Sequence, residues 1–265
     1  MSITSSNSAP ILELRDIEAS YGPFRSLFGV SFSVGEGSVT ALLGGNGSGK
    51  TTVVRICSGL LAPIGGSLLY EGREITGQRT YRLARIGIFH APEGRSVFAT
   101  LTVDENLALT FRQSFGRRGS RAALDKAYTL FPHLGERRRQ LAGTLSGGEQ
   151  RMLSLARVLV REPRLLITDE LSLGLAPLII DEVYRTLATI HDAGTSLLVV
   201  EQHVHQALKL ADTVVVMAKG RVALSGATKD LGDVSESILP VVHGETPVGN
   251  GGSRARSSRT KRGRP

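Results

Sequence analysis

One cysteine, Cys57, stands in 265 residues, and there is no tryptophan. A lone thiol closes no internal disulfide, so the chain is not a disulfide-stapled fold and suits a reducing compartment. Aromatic residues make up only 5% of the chain. No apolar run approaches the ~18 residues of a membrane-spanning helix. The strongest runs, Leu197 to Val200 and Val214 to Ala218, have the length of strands. The N-terminus carries neither a basic start nor an apolar stretch ahead of Pro10, and no signal peptide is expected. Internal repeats are missing too. What remains is an ordinary apolar fraction of 41% in a chain long enough for a large buried core.

Cations outnumber anions, giving a net charge of +8. Their placement weakens a nucleic-acid reading. Between Gly244 and Pro265 lie Arg254, Arg256, Arg259, Lys261, Arg262 and Arg264 against Glu245 alone. That segment carries +5 and leaves +3 for the first 243 residues. It is also rich in Gly and Ser and poor in apolar residues, so 244–265 reads as a basic disordered tail. No specific nucleic acid is expected as a partner. Contact of the tail with anionic lipid or nucleic acid is the alternative that clustered cations leave open.

Residues 1–10 read as a flexible N-terminus and 11–243 as one folded unit. Strands are expected at Ile11 to Ala19, Val30 to Val34, Val39 to Leu43, Ile86 to Phe89, Leu165 to Thr168, Leu197 to Val200 and Thr213 to Met217. Helices are expected at Thr51 to Gly59, Gly148 to Val160, Pro177 to Ile190 and Val204 to Leu210. Apolar strands separated by helices indicate an α/β fold with a mostly parallel sheet covered on both faces. The two early strands have no helix between them and suggest an added antiparallel sheet. From about Thr102 to Arg139 the pattern is helical, with no buried strand.

Gly44-Gly45-Asn46-Gly47-Ser48-Gly49-Lys50-Thr51 fits the phosphate-loop pattern, with a buried strand before it and a helix after it. Four glycines let the backbone turn its N–H groups toward phosphate oxygens, and the start of the helix adds a positive field. Lys50 is expected to reach the β- and γ-phosphates of ATP, and the Thr51 hydroxyl to ligate Mg2+, with Thr52 beside it in the nucleotide site. A second chemical cluster closes the strand Leu165 to Thr168, where Asp169 and Glu170 stand in succession. Neighbours on a strand face opposite ways, so the two carboxylates take different tasks. Asp169 suits the metal shell, directly or through water. Glu170 suits the attacking water, as general base or as orienting acceptor.

Leu145-Ser146-Gly147-Gly148-Glu149-Gln150 resembles the signature of the ABC ATPase superfamily. Physically it is a helix start, with Ser146 as N-cap, two glycines exposing N–H groups and Glu149 in the first turn. The resemblance covers roughly residues 10 to 230. It implies a P-loop NTPase (RecA-like) core with an antiparallel β subdomain and a helical signature subdomain at about 95–160. It also implies a head-to-tail pair of ATPases in which Ser146 to Gln150 close on the ATP of the partner. Tyr21 matches the aromatic residue that stacks on adenine. Gln202 aligns with the family's switch histidine, with His203 one place later, and Glu93 stands where most members have a Gln that serves the metal shell.

Pro92 to Phe98, Leu101 to Leu107, Ser172 to Pro177, Val200 to Gln202 and Gln206 to Asp212 are similar to the shorter ATPase of branched-chain amino acid importers. That resemblance implies several partners: a second, longer ATPase or a second copy of this chain, two membrane-spanning permease subunits, and an extracytoplasmic binding protein. It places the chain on the cytoplasmic side of the membrane, held there by the permease subunits. Urea, amides and other amino acids are the alternative cargoes, and a non-transport soluble ABC ATPase is the alternative class. Leu171 departs from the usual Pro after the catalytic Glu, and a relaxed turn beneath Glu170 is expected from it.

Overall fold

A computed structural model describes residues 10–92, 97–202 and 204–230. The chain opens with β1 (Pro10–Tyr21), β2 (Phe24–Gly35), β3 (Val39–Gly44) and α1 (Lys50–Cys57). After these come β4 (Gly65–Tyr70), β5 (Arg73–Glu74), α2 (Thr80–Arg85) and β6 (Ile88–Ala91). A helical stretch follows, with α3 (Val103–Leu130), α4 (Pro132–Glu136), a 3-10 turn (Ala142–Thr144) and α5 (Gly147–Leu159). The last part alternates: β7 (Leu165–Asp169), α6 (Pro177–Asp192), β8 (Ser196–Glu201), α7 (Val204–Leu210), β9 (Thr213–Ala218) and β10 (Arg221–Ala227).

Six strands form the central sheet in the order β10-β9-β3-β8-β7-β6. All its pairings are parallel except β10 with β9. Every residue of β3, β7 and β8 is buried, as expected when helices cover both faces. The faces separate with a period of two. Ala41, Leu43, Leu166, Leu197 and Val199 join the side chains of α5, α6 and α7, among them Leu153, Val183, Leu187 and Ala207. Leu42, Ile167, Leu198 and Val200 face the other way, onto Val53, Val54 and Ile56 of α1. Cys57 lies in that second layer, and burial pushes its thiol up to about 12. The second sheet is antiparallel, ordered β2-β1-β4-β5, and packs Ile11, Leu14, Val30 and Leu68 into the same layer.

Several boundaries differ from the sequence reading. Pro10 already belongs to β1. Ile86, expected to start a strand, instead closes α2 by donating its N–H to the Leu83 carbonyl. Gly87 turns the chain in the left-handed region, and β6 begins at Ile88. In α3, Thr102 and Glu105 form a reciprocal capping box, and the helix kinks at Gly116. The basic stretch 244–265 lies outside the described residues.

Candidate active site

At the end of β3 the backbone passes Gly44 so closely to β9 that a Cβ there would sit 2.5 Å from the Met217 carbonyl oxygen and 2.6 Å from Ser48 Oγ. The loop is then tied across, with the Ser48 N–H donating to the Gly45 carbonyl and the Gly220 N–H donating to the Ser48 carbonyl. Asn46, Gly47 and Thr51 are exposed along its outer rim. Lys50, only 4% exposed, donates through Nζ to the carbonyls of Gly44 (2.8 Å) and Gly45 (3.3 Å). Its ammonium is curled back over the loop, where the two carbonyls solvate the buried charge. Ser48 Oγ, buried, makes no hydrogen bond within the described residues. Thr52 is turned away, its hydroxyl 2.9 Å from Ser26 Oγ of β2.

Opposite this loop, β7 delivers Asp169 as its last residue, with a buried side chain. Glu170 leaves the strand at φ 45°, a left-handed backbone uncommon for a non-glycine residue. Its carboxylate reaches within 3.4 Å of Lys50 Nζ. The turn beneath it is not relaxed as Leu171 had suggested. Leu171 is 1% exposed and packs in the core with α5 and α6. The Glu170 N–H donates to the Val200 carbonyl, and Arg151 Nη2 donates to the Glu170 carbonyl. Ser172 gives both its N–H (3.1 Å) and its hydroxyl (2.6 Å) to the Glu201 carboxylate. Glu201 is 1% exposed at the end of β8, one residue before the half-buried Gln202. Burial pushes the nearby Tyr184 phenol far above its ordinary range, and the Glu201 carboxylate adds to that shift. Thus β7, β8 and α5 all brace one corner.

The signature helix α5 starts as expected at its cap. Ser146 Oγ accepts from the Glu149 N–H, and Glu149 accepts from the Ser146 N–H. Arg137 Nε bonds the second carboxylate oxygen of Glu149 at 2.9 Å. Burial raises the Glu149 carboxyl, but the Ser146 bonds and the Arg137 charge outweigh it and leave the group below its ordinary value. Two residues of the motif pack against the protein. Gly148 is buried so tightly against α6 that a Cβ would lie 2.5 Å from Ile179 Cγ2. Gln150 spends its amide on the carbonyls of Ala142 and Leu145, fixing the loop ahead of the helix. Ser146 is therefore the exposed residue of the motif, with Gly147 and Glu149 half-buried behind it.

Tyr21 ends β1 with 40% of its surface open. The Arg55 guanidinium lies 5.9 Å from its ring centroid and donates to its hydroxyl. Glu93 and His203 lie outside the described residues. Of the expected metal ligands, Thr51 at the start of α1 and Asp169 at the end of β7 are described. Among described residues no cluster of three His, Cys, Asp or Glu could cage a metal. One hydroxyl and one carboxylate fit a hard cation that keeps most of its shell from water and substrate. Sequence reading missed Arg151, Ser172 and Glu201 as supports of Glu170, because nothing within their own segments marks them.

A glycine-built loop at a strand end, a buried Lys and a facing carboxylate pair define a phosphate-loop, ATP-binding hydrolase. The family model described as ABC transporter matches residues 27–172. The high-affinity branched-chain amino acid transport ATP-binding protein BraG of Pseudomonas aeruginosa is 40% identical over 218 residues, covering 81% of this chain and 91% of that protein. The probable branched-chain amino acid transport ATP-binding protein LivF of Archaeoglobus fulgidus is 35% identical over 216 residues, with the same two coverages. Among solved structures, the ADP conformation of MJ1267, an ATP-binding cassette of an ABC transporter, superposes with a TM-score of 0.78 at 26% identity. It covers 90% of this chain and 100% of that one. The chain belongs to the ABC transporter family, as one of its ATP-binding, ATP-hydrolysing subunits. No helix among the described residues is long and apolar enough to cross a membrane.

Proposed function

We propose that this chain powers the import of branched-chain amino acids, hydrolysing ATP on the cytoplasmic side of the membrane while docked to permease subunits. The observation that carries the ATPase chemistry is Glu170 Oε1 standing 3.4 Å from Lys50 Nζ across the phosphate loop. The cargo rests on the relatives of that description. Lys50 exchanges its bonds to the Gly44 and Gly45 carbonyls for the β- and γ-phosphates of ATP. The amides of Gly45 to Thr52 cradle those phosphates, and the open face of Tyr21 stacks on adenine. Glu170 accepts a proton from the water that attacks the γ-phosphorus in line, so that ADP leaves as the P–O bond breaks. Thr51 and Asp169, with Glu93 in support, would hold Mg2+, which would supply neutralisation of charge on the phosphate oxygens. Gln202 donates a hydrogen bond to the γ-phosphate, as its amide permits.

The second ATPase, a related chain or a second copy, supplies Ser146 and Gly147 of its own signature end to this ATP. An extracytoplasmic binding protein hands the cargo to the two permease subunits. The test is reconstitution in liposomes with the permease and second ATPase, recording ATP hydrolysis with and without a leucine-loaded binding protein. Stimulation that disappears in Glu170→Gln is the expected result. Hydrolysis that no branched-chain amino acid stimulates would sink the cargo assignment and leave the ATPase standing.

A further inference from the structure

We propose that Arg151 is a positioning residue for hydrolysis, a rigid link through which the signature helix α5 sets the aim of Glu170 in its own subunit. The inference rests on Glu170 as the base. Arg151 lies one turn into α5 and is 4% exposed. A guanidinium is not buried to that degree without acceptors for its N–H groups. Here Nη1 donates to the Pro92 carbonyl at 3.1 Å and Nη2 to the Glu170 carbonyl at 3.3 Å. The two nitrogens share one plane, so they hold the two carbonyls at a fixed separation from each other and from the helix.

Both acceptors are main-chain atoms at chemically loaded places. Pro92 follows β6 and precedes Glu93, and Glu170 is the residue at φ 45°. A backbone in that region persists only where its surroundings over-determine it. The Val200 carbonyl and the Glu201 carboxylate supply two of the anchors, both from β8. Arg151 supplies the hydrogen bond from the helical side, where Leu171 packs among α5 and α6. Because α5 is a stiff helix whose first residues form the signature end, any rotation of that end carries Arg151 with it. The Glu170 and Pro92 main chains then follow. In this arrangement, engagement of Ser146 and Gly147 by a partner's nucleotide is felt at the base of the same chain.

A plain packing role for Arg151 predicts something else, a loss of stability with intact turnover per folded molecule. The two are separated by making Arg151→Gln, Arg151→Lys and Glu170→Gln in the full chain, assembled with its partner subunits in liposomes. Hydrolysis is followed against ATP concentration, and thermal unfolding of each full chain is recorded alongside. Glu170→Gln sets the floor contributed by the other ATPase. Above that floor, Arg151→Gln is expected to lower kcat at least tenfold with KM for ATP within twofold. Arg151→Lys, which keeps the charge but reaches one carbonyl only, is expected to recover part of the loss, and it carries the test if Arg151→Gln fails to fold. Wild-type kcat in a folded Arg151 variant beside an inactive Glu170→Gln overturns the link alone. Wild-type turnover in Glu170→Gln overturns the base assignment and the link with it.

Discussion

Lys50 and Glu170 face each other across the nucleotide site, yet the backbone beneath each is held by different means. Under Lys50 the supports are mostly local: a strand end, a turn of glycines and a helix start contained within the eight residues Gly44 to Thr51. Under Glu170 they are distant, with Arg151 on α5, Val200 and Glu201 on β8, and Leu171 anchored in the core. A loop that depends mainly on sequence-adjacent turns, with Gly220 as its tie to the rest, registers few displacements elsewhere. A corner assembled from three elements registers any displacement among them. The side proposed to bind phosphate is thus built to stay constant, and the side proposed to position water is built to respond.

That contrast breaks if substitutions on the two sides have the same kinetic signature. Glu201→Ala is expected to have the largest effect, since it removes the acceptor of two Ser172 donors in a buried place and costs about 3 kcal/mol. Urea unfolding should show the loss, and kcat should fall at least tenfold with KM for ATP little changed. Glu201→Gln, which retains one acceptor oxygen, should restore most of the stability. Gly44→Ala should do the reverse. Its methyl meets the Met217 carbonyl, an overpacking of roughly 2 kcal/mol, and ATP binding followed by titration should weaken tenfold or more. Equal shifts of kcat and KM in both variants would erase the distinction.

A third measurement sharpens it through pH. Burial lowers the His90 imidazole on β6 to about 4, and its Nε2 makes no hydrogen bond within the described residues. The folded pKa lies below the unfolded value near 6.5, so the unfolded chain binds more protons between these limits. Stability is therefore complete above pH 6.5 and is lost as pH falls toward 4. Solvent reaches part of the ring, so the loss is on the order of 1 to 2 kcal/mol. Melting curves at pH 7 and pH 5 should converge in His90→Leu, and an unchanged gap would exclude His90 as the cause. The smallest effect belongs to Tyr21→Leu, expected to weaken ATP binding about threefold through loss of stacking alone, with kcat at saturation untouched.

The same division explains what the sequence revealed. Gly44 to Thr51 is a contiguous string whose chemistry is complete within itself, and so are the capping residues Ser146 and Glu149. The parallel core could be read from runs such as Leu165 to Thr168, since full burial on both faces leaves no polar alternation. β4, β5, α2 and β10 escaped. β10 is never fully buried, and α2 has six residues with one buried, so neither carries a periodic apolar signal. Arg151 reads as one more cation on a helix, and its role exists only once β6 and β7 are laid beside α5. Leu171 misled for a related reason. A missing Pro suggested slack, whereas tertiary burial supplies the constraint that a local ring would have given.

Gly220 shows what the seam between the sheets implies for nucleotide exchange. Its amide holds Ser48 in the phosphate loop while its carbonyl accepts from Phe28 of β2, and a Cβ at that point would lie 2.3 Å from the Ser26 carbonyl. The sheet bearing Tyr21 and the loop bearing Lys50 are stitched at one residue with no room for a side chain, and again by the Thr52 and Ser26 hydroxyls. The walls proposed to meet the base and the phosphates are consequently joined as one jaw. Changes in ATP residence time during a transport cycle then have to originate on the opposite jaw, where α5 and the Glu170 corner lie.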